Sequence, residues 1–136
     1  MRPSSSPSDG LLGGLSGDPD VDAELTDRAL LQAMLDAEAA LALAAADCDL
    51  APRAAAEAIA AGCHADRYDP AALGRAAENA GNPVVPLVRA LTEAVPAEAR
   101  AWVHLGATSQ DVLDTALVLV AVRAAGPLLG HVDAAA

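Results

Sequence analysis

The sequence predicts an all-α fold, and three observations predict it. Alanine is the largest part of a 54% hydrophobic content; it is the best helix former and buries little area per residue, which favours closely packed helices. Phe is absent, and Trp102 and Tyr68 are the only aromatic residues, so the β-branched and aromatic runs that sustain strands hardly occur. Proline, glycine and N-cap residues punctuate the chain at helical intervals. With 136 residues there is material for one domain, which buries roughly two-thirds of its unfolded surface.

Taken in order, residues 1–25 begin "MRPSSSPSDGLLGGLSGDPD". They lack the apolar core of a signal peptide, carry acids that a transit peptide avoids, and read as a flexible tail. The first helix is expected to start at Thr26, whose hydroxyl caps it, with Asp27 in the first turn where the dipole favours an acid. Leu30, Met34 and Leu41 then fall along one stripe, and the helix stops near "DCDLAP" (residues 47–52). Pro52 suits the first position of a second helix, closed by Gly62. Next, Asp69 is an N-cap, Pro70 the first helical residue, Gly81 a left-handed stop and Pro83 a barrier to continuation. A further helix follows Pro86, and "PAEARAW" (96–102) starts another turn. Gly106 breaks the chain. The last helix begins at Thr108 or Ser109 and runs to the end, with a kink expected at Gly126–Pro127. From Ala116 to Val122 every residue is apolar, the pattern of a helix buried on all sides. Other subunits or a C-terminal continuation are expected to cover it. The expected organisation is a tail (1–25), an N-terminal helical domain (26–107) and the first part of a central helix-bundle domain (108–136).

The formal net charge is −11 and every basic residue is arginine. With no basic stripe, nucleic acid and anionic membrane surfaces are excluded as partners. No apolar run approaches the roughly 20 residues of a membrane helix, since Arg123 interrupts the longest. Cys48 and Cys63 fit neither a CxxC motif nor a disulfide framework, and free thiols in a reducing cytoplasm are expected. Cys63–His64 has no further Cys or His nearby, so no metal site is expected.

The chemistry concentrates in "HLGATSQD", His104 to Asp111. Gly106 permits a close turn. Thr108 and Ser109 put two hydroxyls beside the free N–H groups of a helix start, a ready seat for carboxylate or phosphate. Gln110 adds an amide, Asp111 can orient a partner, and His104 can hydrogen-bond or titrate near neutrality. A plainer reading stands beside this one: Thr108 or Ser109 is only an N-cap, Asp111 only complements the dipole, and His104 only packs. Likewise Asn82, in "AGNPVVP", lies either in a simple turn or on a loop that reaches a ligand.

"HLGATSQDVLDTA" (104–116) resembles the first of three signature regions of the fumarase/aspartase superfamily. Its Thr-Ser-x-Asp core is similar to the adenylosuccinate lyase and 3-carboxy-cis,cis-muconate cycloisomerase branch. Within that branch, "LTDRALLQAMLDAEAALALA" and "AAENAGNPVVPLVRAL" resemble the cycloisomerase family in the correct order. Leu105 departs from the aromatic usual before the glycine. The resemblance runs from about residue 10 to the C-terminus. It implies a cofactor-free, cytoplasmic homotetramer that converts 3-carboxy-cis,cis-muconate, a tricarboxylate, to a carboxymuconolactone in the protocatechuate branch of the β-ketoadipate pathway. His104, Thr108, Ser109, Gln110 and Asn82 would bind substrate, with Gly106 and Asp111 shaping the site. The resemblance further implies that the second and third signature regions, with the general acid and base, lie outside these 136 residues. The chain is therefore expected to be an N-terminal portion without turnover of its own. The alternatives are an adenylosuccinate lyase-like portion, against which "AGNPVVP" counts, and a non-catalytic helical interaction module.

Overall fold

The computed structural model describes residues 17–136. Among the described residues there are six α-helices and two short 3₁₀ turns, with no strand. The all-α expectation holds. The helices are α1 (Pro19–Glu24), α2 (Asp27–Asp47), α3 (Arg53–Gly62), α4 (Pro70–Ala80), α5 (Val84–Ala94) and α6 (Ser109–Ala135), and the 3₁₀ turns are Ala65–Arg67 and Arg100–Trp102.

Local chemistry accounts for most boundaries. The Thr26 hydroxyl accepts from the Ala29 N–H at 3.1 Å and starts α2. Asp69 caps α4 through the Ala71 N–H at 2.9 Å, with Pro70 first in the helix. Gly81 ends it at φ 69°, a left-handed conformation that costs glycine nothing. Two starts differ by one to three residues from expectation. Pro52 is the cap of α3 rather than its first residue. Helix α5 begins at Val84, before Pro86, because first-turn N–H groups have no intrahelical acceptor and a proline there forfeits nothing.

The core forms where α2 meets α3, α5 and α6. Leu31, Met34, Leu35 and Ala42 of α2 pack with Ala56 and Ile59 of α3, with Val84, Leu87 and Leu91 of α5, and with Val112, Ala116 and Val120 of α6. Burying a side chain such as Leu35 or Ile59 contributes about 1.5–3 kcal/mol. The α2 stripe is centred differently from expectation, since Leu30 and Leu41 are only half-buried. Helices α3 and α5 approach closely at Gly62, where a Cβ would lie 3.1 Å from Leu91 Cδ1.

Polar groups tie the elements together. Gln32 donates to the Cys63 carbonyl at 3.1 Å and accepts from the Ala65 N–H at 2.9 Å. Arg123 of α6 pairs with Asp36 of α2 at 2.7 Å.

Three expectations need correction. Residues 1–16 lie outside the described residues, but the expected tail does not extend to residue 25. Asp18 accepts from the Asp20 and Val21 N–H groups and caps α1, and it also meets His131 at 2.6 Å. Helix α6 is buried on one side only within this chain, and the cover expected from other subunits or a continuation lies outside it. It buries Val112, Ala116, Val120 and Ala124, while Leu117, Val118, Val122, Leu128, Leu129 and Val132 are exposed. The helix also runs on through Pro127. Finally, α2 and α6 are long and apolar enough to cross a membrane by length and composition. An uninterrupted-run criterion missed this because both helices carry scattered charges. Helix α2 satisfies the measure as the central core helix, and the Arg123–Asp36 pair fastens α6 along it.

Candidate functional site

The loop between the Arg100–Trp102 turn and α6 is wound by two left-handed residues, His104 at φ 59° and Gly106 at φ 79°. Such a conformation is uncommon for a residue with a side chain and persists where its surroundings enforce it. The enforcement here comes from α2. Glu38 lies on the buried face of that helix, and its Oε1 is 2.6 Å from His104 Nδ1. The Glu38 side chain is wholly enclosed, whereas the histidine ring keeps 19% of its surface exposed. The second carboxyl oxygen, Oε2, is buried without a partner. Burial pushes the Glu38 carboxyl up, while the charge and hydrogen bond of His104 pull it back down.

The start of α6 is a capping box. The Thr108 N–H and hydroxyl both donate to Asp111 Oδ2 at 2.9 Å, and Thr108 Oγ1 accepts from the Asp111 N–H at 3.3 Å. These hydrogen bonds from Thr108, the backbone one first, hold the Asp111 carboxyl below its ordinary range. Thr108 is therefore the N-cap, and Asp111 shapes the turn. Ser109 is the first helical residue and half-buried. The first backbone bond here runs from the Val112 N–H to the Thr108 carbonyl at 3.4 Å. That leaves the N–H groups of Ser109 and Gln110 in the uncapped part of the first turn, beside the positive end of a 27-residue helix. The Gln110 amide donates to Asp114 at 2.6 Å along the exposed face.

Asn82 does not join this cluster. Its Oδ1 accepts from the Val84 N–H at 2.8 Å and starts α5. Among the described residues no hydrogen bond links it to the 104–111 turn.

An open groove of about 340 Å³ runs beside the turn, lined by Ala37, Ala40, Leu41 and Ala44 of α2 and by Ala107, Asp111, Val112 and Thr115. The Thr115 hydroxyl is engaged with the Asp111 carbonyl at 2.7 Å. The turn thus edges a concave surface whose far side is open. Its free N–H groups, the Ser109 hydroxyl and the histidine suit an organic anion.

Sequence reasoning missed Glu38. The available signal was an acid at a core position of an amphipathic helix, between Leu35 and Ala42 on the buried face. Cys63 is buried and its thiol is pushed up to about 12, the reverse of what metal ligation requires.

The sequence profile of the lyase family matches residues 18–133. Over 97 residues the chain is 54% identical to a 3-carboxy-cis,cis-muconate cycloisomerase of Pseudomonas putida, covering 69% of this chain and 23% of that protein. A nitrosuccinate lyase of Streptomyces davaonensis is 46% identical over 123 residues, covering 88% of this chain and 26% of the relative. The crystal structure of 3-carboxy-cis,cis-muconate lactonizing enzyme from Pseudomonas putida matches with a TM-score of 0.77 and 48% identity, over 81% of this chain and 26% of that one. The chain spans about a quarter of the length of these relatives.

Proposed function

This chain belongs to the lyase family, and from that premise we propose that it supplies the first substrate-binding turn of a 3-carboxy-cis,cis-muconate cycloisomerase. One observation carries the reading: 48% identity at a TM-score of 0.77 to the lactonizing enzyme across 81% of the chain. Residues 108–136 then form the first part of a central helix bundle in a cytoplasmic homotetramer of the protocatechuate branch. The exposed apolar residues of α6 support that placement.

The reaction brings its own nucleophile. A carboxylate oxygen of the tricarboxylate forms a C–O bond at one end of a conjugated double bond. The π electrons move toward the neighbouring carboxylate as an enolate-like species, and a proton is delivered to the adjacent carbon to give the lactone. The protein holds the carboxylates and stabilises the charge that builds on one of them. Ser109 and the uncapped N–H groups of α6 suit that task, Thr108 joins them once its hydroxyl leaves Asp111, and His104 binds a second carboxylate. Gln110 and Asn82 orient the substrate, each after leaving its present hydrogen bond. Gly106 and Asp111 hold the turn in shape. Asp111 stays off the substrate, because two anions side by side repel.

The general acid and base lie in other segments, so the 136-residue chain alone is expected to show no turnover. Loss of muconate absorbance at catalytic rates with this chain would overturn that expectation. In a catalytically complete enzyme containing this segment, Thr108→Ala and Ser109→Ala should each slow turnover roughly 10²-fold with the fold preserved. If these residues are only caps of an interaction module, the variants lose up to about 1–2 kcal/mol of stability and no rate.

The similarity to nitrosuccinate lyase, which covers more of the chain, favours a second reading in which the same turn holds a substituted succinate for elimination. Identifying the product formed by the complete enzyme separates the two.

A further inference from the structure

We propose that Glu38 is the positioning residue for His104: it clamps the ring from inside the core at Nδ1 and so aims the opposite nitrogen, Nε2, at a substrate carboxylate. The inference rests on the reading that the 104–111 turn binds a polycarboxylate.

Glu38 occupies a place that packing alone would fill with leucine or alanine. It is 1% exposed and is the single buried charged residue among those described. Only one of its oxygens finds a partner. A buried carboxyl with an orphaned oxygen opposes folding, so its presence points to what its other oxygen does. That oxygen reaches His104, 66 positions along the chain, at 2.6 Å, the short range of a charge-assisted bond. The ring hangs from a left-handed backbone two residues from the equally left-handed Gly106, so local chain geometry alone does not set its orientation.

Clamping one nitrogen also sets the role of the other. Among the described residues Nε2 has no hydrogen-bond partner, and the ring reaches the surface. Burial pushes the Glu38 carboxyl up. The dry surroundings therefore resist the anionic state in which Nδ1 carries the pair's last proton. With the shared proton retained on either partner, Nε2 carries N–H and donates, as a carboxylate acceptor requires. His104 is the group whose charge bears on Glu38. The nearby Cys63 thiol, pushed up to about 12, stays neutral.

Two measurements test this. In the 136-residue chain, NMR of the histidine rings, assigned with His104→Gln and after circular dichroism confirms helicity, should show a downfield, exchange-protected proton between His104 and Glu38. That signal should vanish in Glu38→Leu and survive, shifted, in Glu38→Asp. In the catalytically complete enzyme, Glu38→Gln should raise KM about tenfold with kcat changed far less, because an amide can either donate to Nδ1 or accept from it and so no longer fixes the proton on Nε2. Glu38→Asp should recover part of the loss. A ring proton unaffected by Glu38→Leu overturns the clamp, whatever the kinetics. A lost ring proton with KM unchanged overturns the aim at a carboxylate. If Thr108→Ala is then also silent in turnover, the polycarboxylate reading of the turn has failed as well.

Discussion

Two carboxyl groups near the 104–111 turn are displaced in opposite senses, and the chain should respond to pH accordingly. Asp111 is held below its ordinary value of 3.8 by hydrogen bonds from Thr108. Its stabilising effect is present above that value and is lost as pH falls through the depressed one. Protection of the Asp111 amide, its exchange measured relative to the intrinsic rate, should therefore fall as pH drops below 3.8, and Thr108→Ala should abolish that dependence. Glu38 is raised above 4.5 by burial. Its contribution is present in full below 4.5 and is lost as pH rises through the raised value. Compared with Glu38→Gln, the natural chain should lose relative stability on that rise, measured as paired urea midpoints across pH. These two residues also mark how far the site was legible. Thr108 and Asp111 lie three positions apart, so their pairing can be read as a local pattern. Glu38 and His104 meet only because α2 passes behind the turn, and nothing in the spacing of their neighbours announces it. Gln110 and Asn82 were chosen for their chemistry, but each has a local acceptor or donor that the sequence alone did not set against the ligand.

At the scale of the elements, helix ends behave as short-range chemistry demands. Gly81 shows the cost of departing from it. A Cβ there meets nothing within 4 Å, so Gly81→Ala should cost about 1 kcal/mol from the left-handed backbone alone, read as a lowered thermal midpoint. Leu35→Ala in α2 tests packing instead. Leu35 has no exposed surface, and its truncation should cost about 2–5 kcal/mol. The boundaries that sequence reasoning missed share one cause. Pro52 was read as a first helical residue and Pro86 as standing before its helix, yet a proline is tolerated anywhere in the uncapped first turn or just before it. Helix α1 was missed because Ser, Gly and Pro around it read as tail. Its Asp18 cap is local, but its contact with His131 spans the whole chain.

For the whole molecule, the fully apolar run of α6 predicted burial on every side, and in this chain one side is buried. The difference is a surface without a cover: Leu117, Val118 and Val122, with Leu128, Leu129 and Val132 beyond them, present large apolar groups along the helix. Contiguous patches of that kind mark association surfaces. The chain should therefore self-associate in sedimentation velocity, and Val118→Glu with Val122→Glu should shift it toward the monomer while leaving helicity intact. The fold class was legible because composition acts on the entire chain, and the uncovered side because hydrophobic pattern does not depend on what lies opposite.

The stripe that α6 does bury is made of small groups, and Ala116 has no accessible surface. At that level it lies in the core that α6 shares with α2. A leucine at position 116 would wedge them apart and swing the head of α6 outward, carrying Thr108 and Ser109 with it while His104 stays moored to α2. The spacing between the two halves of the turn is thus gauged by one methyl group, two coils further down the helix.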